Sequence, residues 1–390
     1  MKRNFNFIIF IITNIISSLG DYIYDIGIII YLYKITGSSI VIGGYFIFQF
    51  IPSLFFVPII GTLIDKINNK FILFTSNIIR AVILIILLFN ISKIPIFLAS
   101  IILGINDELN RATNNTILPK IINTDEITKA NSFLSVSDSI TMIIGPIIAT
   151  LLLNGFGIKG SIVINSISFI IAAILVLTLK VHKNISIVIK NNFYKEVKLG
   201  IKFIFTDLFI RKIIYIWGLL LMGVGISSSL IIVFISKNMN LRPDMYGWIT
   251  AAEGVGIIIS SSIIIKKKFI DTKKLIKYGL LILGVGTLCV SLTSNQYILL
   301  SSYVLIGIGA GSAPNGIRSM IQKNVEQTML GRVFTSVRFI VTNLRTLSIT
   351  IFSILAENLN LRIIFIIAAI FIFLACFISN HLIIESAKEK

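Results

Sequence analysis

Apolar residues run in long stretches almost from one end of this chain to the other, and the polar positions gather into short interruptions between them. Stretches near 7–33, 40–63, 71–91, 94–118, 129–153, 160–180, 212–236, 246–265, 275–294, 297–320, 330–354 and 363–384 each approach or exceed the roughly 20 apolar residues that a helix needs to cross a bilayer. The pattern predicts an all-α polytopic membrane protein with twelve transmembrane helices. Composition agrees: 56% of the 390 residues are hydrophobic and 13% are charged, and mean hydropathy is +0.96. A soluble domain carries about twice that charged fraction.

The charge is lopsided, with 35 Lys and Arg against 17 Asp and Glu. In a soluble chain a net charge of +18 would point to nucleic acid, but here its distribution says otherwise. With the N-terminus on the inner side and the sides alternating, the inside segments hold 25 of the basic residues and the outside segments six. The remaining four, Arg80, Arg111, Arg338 and Arg345, fall inside spans. That asymmetry follows the positive-inside rule, so both termini are expected in the cytoplasm and nucleic acid is not expected as a partner. Cys289 and Cys376 sit in apolar spans without metal-ligand spacing, and no metal is expected. The loops are short and basic, with no acid-rich segment to hold a metal diphosphate, so the chain is not expected to be an enzyme. Gly307-Ile308-Gly309-Ala310-Gly311 follows no strand and carries no phosphate-binding lysine, and it is expected to serve helix contact.

The longest hydrophilic interruption, 181–211, divides the spans six and six. It predicts an N-terminal bundle over 1–180, a cytoplasmic linker over 181–211 and a C-terminal bundle over 212–390. Within the linker, Phe193, Val197, Ile201 and Ile204 alternate with Lys195, Lys198 and Lys202 at helical spacing, as suits either an amphipathic helix on an anionic leaflet or a solvated connector. The halves share a rhythm: 103–133 aligns with 306–336 without a gap, Gly104 on Gly307 and Pro119 on Gln322. Direct repeats of six spans are one architecture of secondary transporters.

Charged groups inside spans are costly, by roughly 2.5–3.5 kcal/mol each, and mark candidate sites. Asp21 and Asp25 lie one turn apart on span 1, where two acids on one dry face cannot both ionise cheaply; this suits a proton carrier. Span 4 holds Asp107, Glu108 and Arg111, with Asp107 and Arg111 at pairing distance along the helix. Arg80 in span 3 is expected to meet either Asp138 in span 5 or Asp21. In the second half, Glu253 can pair with Arg338 or Arg345.

The turn after span 2 reads Gly61-Thr62-Leu63-Ile64-Asp65-Lys66-Ile67-Asn68-Asn69-Lys70. Gly61 permits close packing of the helix end, and Asp65 is an anion able to face the positive N-terminus of another helix. Asn68 can take the left-handed turn that a glycine would. The run resembles the signature loop of the major facilitator superfamily, except that Asn69 stands where the family usually has a base. The resemblance implies two six-helix bundles in the major facilitator fold, with Asp65 facing the helix that starts near Arg332. Gly145-Pro146 in span 5 resembles a feature of the family's exporters, and it serves equally as a packing kink. A finer likeness to the macrolide-efflux and enterobactin-exporter branch runs through 17–39, 117–152, the segment before span 7 and Leu330-Gly331-Arg332. This implies a proton-coupled exporter of a bulky, partly apolar small molecule, a drug such as a macrolide or a siderophore or other metabolite. It would use the proton gradient and no cofactor, as a monomer in a bacterial cytoplasmic membrane. An importer, a lipid or peptide transporter of the same fold, and a non-transporting sensor are the alternatives.

Overall fold

The structure, a computed structural model, describes residues 5–122, 127–180, 207–266, 271–325 and 330–388, and within these helices the side chains of Asp65, Lys66 and Arg332 fall outside the described set. The helices are α1 (Phe5–Thr36), α2 (Ser39–Lys66), α3 (Asn69–Phe89), α4 (Lys93–Ile121), a run Ile127–Thr178, α7 (Leu208–Lys237), α8 (Met245–Lys266), α9 (Thr272–Leu292), α10 (Gln296–Asn324), α11 (Leu330–Leu355) and α12 (Leu361–Lys388). The 52-residue run is two helices joined at a kink, because Gly157 sits at φ 62°, ψ −167°, a conformation that only glycine adopts readily. We count its limbs, 127–156 and 158–178, as α5 and α6. Each of the twelve expected spans thus falls on a helix. Among the described residues, nine of these runs are long and apolar enough to cross a membrane. The shortest, of 21 residues, measure about 32 Å at 1.5 Å per residue, close to the hydrocarbon thickness.

Local chemistry sets the helix starts. Asn68, Asp207, Asp271 and Asn295 each cap a helix with a side-chain oxygen, Asp207 accepting from Ile210 N at 3.0 Å and Asn295 from Tyr297 N at 2.8 Å. The helices are then arranged polar-in and apolar-out. On α3, Ser76, Asn77 and Arg80 are buried while Ile79, Val82, Ile85 and Ile86 are exposed, the inverse of a helix on a water-soluble protein. The arrangement is stable where lipid, not water, meets the outer face.

The chain forms two compact units, residues 1–35 with 47–190 and residues 36–46 with 191–390. In the first, α3 packs on α4 and on the α5–α6 run, around a core that includes Phe7, Phe10, Leu73, Ile117 and Val176. In the second, α10 packs on α8 and α9, and α7 packs on α11 and α12, around Ile213, Leu280, Ile317, Val337 and Ile372. The same crossing recurs in both. A Cβ at Gly104 would strike the carbonyl oxygen of Gln49 on α2, and one at Gly307 would strike that of Glu253 on α8. The aligned glycines therefore do the same work in each half: they bring the fourth helix of a bundle against the backbone of the second. The helix considered for Phe193–Phe205 lies outside the described residues.

The first turn of α2 belongs to the second unit, and Glu357, in the turn between α11 and α12, fastens it. One carboxylate oxygen accepts from Ser38 Oγ at 2.7 Å, Ser39 Oγ at 3.0 Å and Ile40 N at 3.3 Å. These bonds, the Ser38 hydroxyl foremost, hold the Glu357 carboxyl below the usual carboxylate range. A group depressed on folding stabilises fully above its unfolded value of about 4.3, and loses that contribution as pH falls through the lowered value. Glu357 is exposed, so its contribution at a helix N-terminus is about 0.5–1 kcal/mol. E357Q is expected to melt slightly below the parent at pH 7, with the gap closing as acid protonates the parent's carboxylate. Paired thermal melts across pH check this, and a gap that widened in acid would contradict it.

Candidate transport site

The first unit encloses a polar crevice of about 350 Å³ between α1, α3, α4, α5 and α6. At its centre is Arg80, 3% exposed. Its Nη2 donates to Asp107 in a close ion pair, and its Nη1 lies 3.9 Å from Asp21. The guanidinium covers the ring of Phe169 on α6, 5.0 Å from the centroid, a favourable seat for a cation. In the amide orientation its neighbours dictate, Asn110 Oδ1 accepts from Arg80 Nη2 at 2.9 Å. One buried cation thus serves two carboxylates, an arrangement one charge short of neutral.

Arg80 meets Asp21 and not Asp138. Asp107 turns away from Arg111 to Arg80, and Arg111 pairs with Glu108, one turn back on the same helix. The reason is geometric. Asp107 faces the bundle interior, where Arg80 is buried, while Arg111 is half exposed and takes the nearer acid. Asp25 is the acceptor for Gln49 Nε2 at 3.5 Å and does not line the crevice. Asp138 does line it, and among the described residues it has no ion-pair partner. In the second unit Glu253 lies within electrostatic reach of Arg345.

The loop motif is partly described. Gly61, Asp65 and Lys66 form the last turns of α2 and Arg332 lies in the first turn of α11, but their side-chain contacts fall outside the described set. Asn68 corrects an expectation: at φ −60°, ψ 119° it is not left-handed, and it caps α3 by accepting from Lys70 N at 3.0 Å. Lys70 Nζ donates to the Leu177 carbonyl at 2.6 Å, closing the C-terminus of α6. Asn69, where a base was expected, is buried and bonded to Thr116, and Lys120 Nζ donates to it at 3.4 Å. Gly145 lets α5 approach Tyr22 on α1, where an added Cβ would come within 2.6 Å of the tyrosine Cβ, and Pro146 is buried beside it.

Sequence reasoning passed over the asparagines. Asn106, Asn110 and Asn114 recur every fourth residue on α4, and all three face inward: Asn106 accepts from Ser76 Oγ at 2.9 Å, and Asn114 Nδ2 donates to Asn14 Oδ1 on α1 at 2.8 Å. The i, i+4 spacing inside an apolar span was the available signal. In a chain rich in asparagine it is easily lost.

Helices that are apolar outside and carry a charged crevice within define a multi-pass membrane transporter. The chain belongs to the major facilitator superfamily, whose family profile matches residues 10–344 and, in a second match, 219–390. It is 22% identical over 367 residues to the uncharacterised MFS-type transporter YfiS of Bacillus subtilis, covering 90% of this chain and 87% of that protein. It is 24% identical to the staphyloferrin A transporter of Staphylococcus aureus over 81% of each. To macrolide efflux protein A of Streptococcus pyogenes it is 27% identical over 43% of each. Among solved structures, the nucleoside transporter NupG superposes with a TM-score of 0.80 at 14% identity, covering 96% of this chain and 99% of NupG. The expected all-α polytopic fold and the likeness to macrolide-efflux relatives agree with these matches.

Proposed function

We propose that this transporter exports a small organic molecule in exchange for protons, with the Asp21–Arg80–Asp107 cluster as the coupling site. The observation that carries the reading is one buried arginine between two acids. With both acids ionised the cluster bears one net negative charge, and with one protonated it is neutral. Water-filled access favours the first state, and occlusion in a dry bundle favours the second. A proton arriving on Asp21, which is the more loosely held of the two acids at 3.9 Å from Arg80, neutralises the site and releases a ligand bound against it. Asp107 stays paired and keeps Arg80 oriented. Alternating access would carry the site between the two faces, with the bundles 1–180 and 212–390 as the moving parts and 181–211 as their connector.

The direction of transport rests on the efflux-type relatives and on Gly145-Pro146. The same reading has the protein as a monomer in a bacterial cytoplasmic membrane with both termini inside, driven by the proton gradient without a cofactor. D21N is expected to abolish proton-driven transport, by about a hundredfold, the scale for loss of a positioned proton carrier, while leaving the fold intact. Proteoliposomes with an imposed pH gradient test it: proton uptake on addition of substrates should vanish in D21N and persist in D25N. Full coupling in D21N would move the coupling site elsewhere.

A further inference from the structure

We infer that the crevice of the first unit binds a protonated amine flanked by hydroxyl or amide donors, held by this one bundle. This deepens the export reading and rests on it for the site, not for the chemistry.

The inference comes from which donors and acceptors remain open. The charged donors lining the crevice are each held by a carboxylate, Arg80 by Asp107 and Arg111 by Glu108. Three of the four lining amides spend a donor on a protein acceptor as well, and the fourth, Asn110, turns its oxygen to Arg80. Asn14 Nδ2 donates to the Phe10 carbonyl at 2.8 Å, Asn77 Nδ2 to the Leu73 carbonyl at 2.8 Å, and Asn114 Nδ2 to Asn14. Thr13 Oγ1 donates to the Ile9 carbonyl at 2.8 Å. The Ser17 and Ser18 hydroxyls also line the crevice, but they are only partly buried and reach water; among the fully buried polar side chains there, Thr13, Asn77 and Arg80, the open group that counts is an acceptor. Asn77 is 4% exposed and lines the crevice, yet its Oδ1 has no hydrogen-bond partner. A buried acceptor without a donor costs about 1–3 kcal/mol unless something fills the role. The Asp138 carboxylate faces the same space without an ion-pair partner among the described residues. Charge points the same way. Asp21, Asp107, Glu108 and Asp138 stand against Arg80 and Arg111, an excess of two negative charges at a site within a chain of net charge +18. The ligand that completes this site brings both a positive charge and N–H or O–H groups. A neutral apolar compound satisfies neither Asn77 nor Asp138. A volume of about 350 Å³ lies at the small end for ligand pockets, so what enters is a compact amine or the amine end of a larger molecule.

The test uses the purified full chain in nanodiscs and three probes: glucosamine, a protonated amino polyol; N-acetylglucosamine, its neutral amide; and choline, a smaller cation with a single hydroxyl donor and no N–H. Calorimetry is expected to show glucosamine binding at least tenfold more tightly than either of the others. D138N and N77L should each weaken it at least tenfold, and D138E should retain it. Equal binding of the neutral amide, equal binding of choline, or no binding of glucosamine at millimolar concentration would overturn the inference. A thermal melt of each variant keeps the result interpretable, because a folded D138N or N77L with undiminished binding also overturns it. Failure here is separable from failure of the export reading. Proton uptake driven by other substrates and lost in D21N would leave that reading standing, whereas glucosamine binding without any proton movement would sink the export reading alone.

Discussion

R80Q is expected to destabilise the first unit by about 3–5 kcal/mol, the scale for removing one partner of a buried ion pair, and to reduce transport to the background of the empty host. Among the described residues, Arg80 is the one cation that both Asp21 and Asp107 approach, and its guanidinium also meets Asn110 and covers Phe169. Removing it leaves two carboxylates facing each other in a membrane-embedded bundle. The double variant R80Q/D107N should recover most of the stability, since neutral amides replace the strongest pair, while proton-coupled transport stays lost. R80K keeps the charge without the planar fork that reaches two acids and an amide together, and should fall between. Thermal melts in detergent with transport in proteoliposomes distinguish these outcomes. A stable, active R80Q would mean that the cluster is neither structural nor coupled.

The second large effect concerns packing. G104V and G307V should each cost about 3 kcal/mol or more and sharply lower the yield of folded protein, with the alanine variants intermediate. In both places the added carbon meets a backbone carbonyl oxygen, of Gln49 and of Glu253, and not the end of a flexible side chain. Overpacking costs about 1–3 kcal/mol where side chains can yield, and here an entire helix must move. Small residues at crossings are what allow helices to associate in lipid, where no hydrophobic force drives them together. Gly155 serves as the control: a Cβ there meets nothing within 4 Å, so G155A should leave stability unchanged or slightly raised by helix propensity. Folded yield by size-exclusion chromatography compares the series, and wild-type yield for both G104V and G307V would refute the crossing.

The glycine pair was legible before any coordinates. Gly104 and Gly307 align in the repeat, and the repeat is a property of spacing. Membrane insertion was equally legible, because roughly 20 apolar residues in lipid have no choice but a helix. Which intramembrane charges mark a candidate site could also be named from sequence, since each is too costly to stand in a span without a reason. Their partners could not. Asp107 and Arg111 stand one turn apart on α4, yet rotation of that helix directs Asp107 to Arg80, 27 positions away, and leaves Arg111 to Glu108. Asn68 carried the right chemistry for a left-handed turn and was used instead as a cap. The asparagines at 77, 110 and 114 gave no clear signal alone and acquire meaning only where α3 and α4 bring them to one crevice.

The sequence by itself determined the medium, the helices and the small residues at the points of closest approach, because these depend on the local cost of placing each residue in hydrocarbon. The tertiary structure decided which acid meets which base, which acceptors are left open and where the first turn of α2 is fastened. These depend on the rotation of each helix about its own axis, and that rotation is set by packing against neighbours far away in the chain.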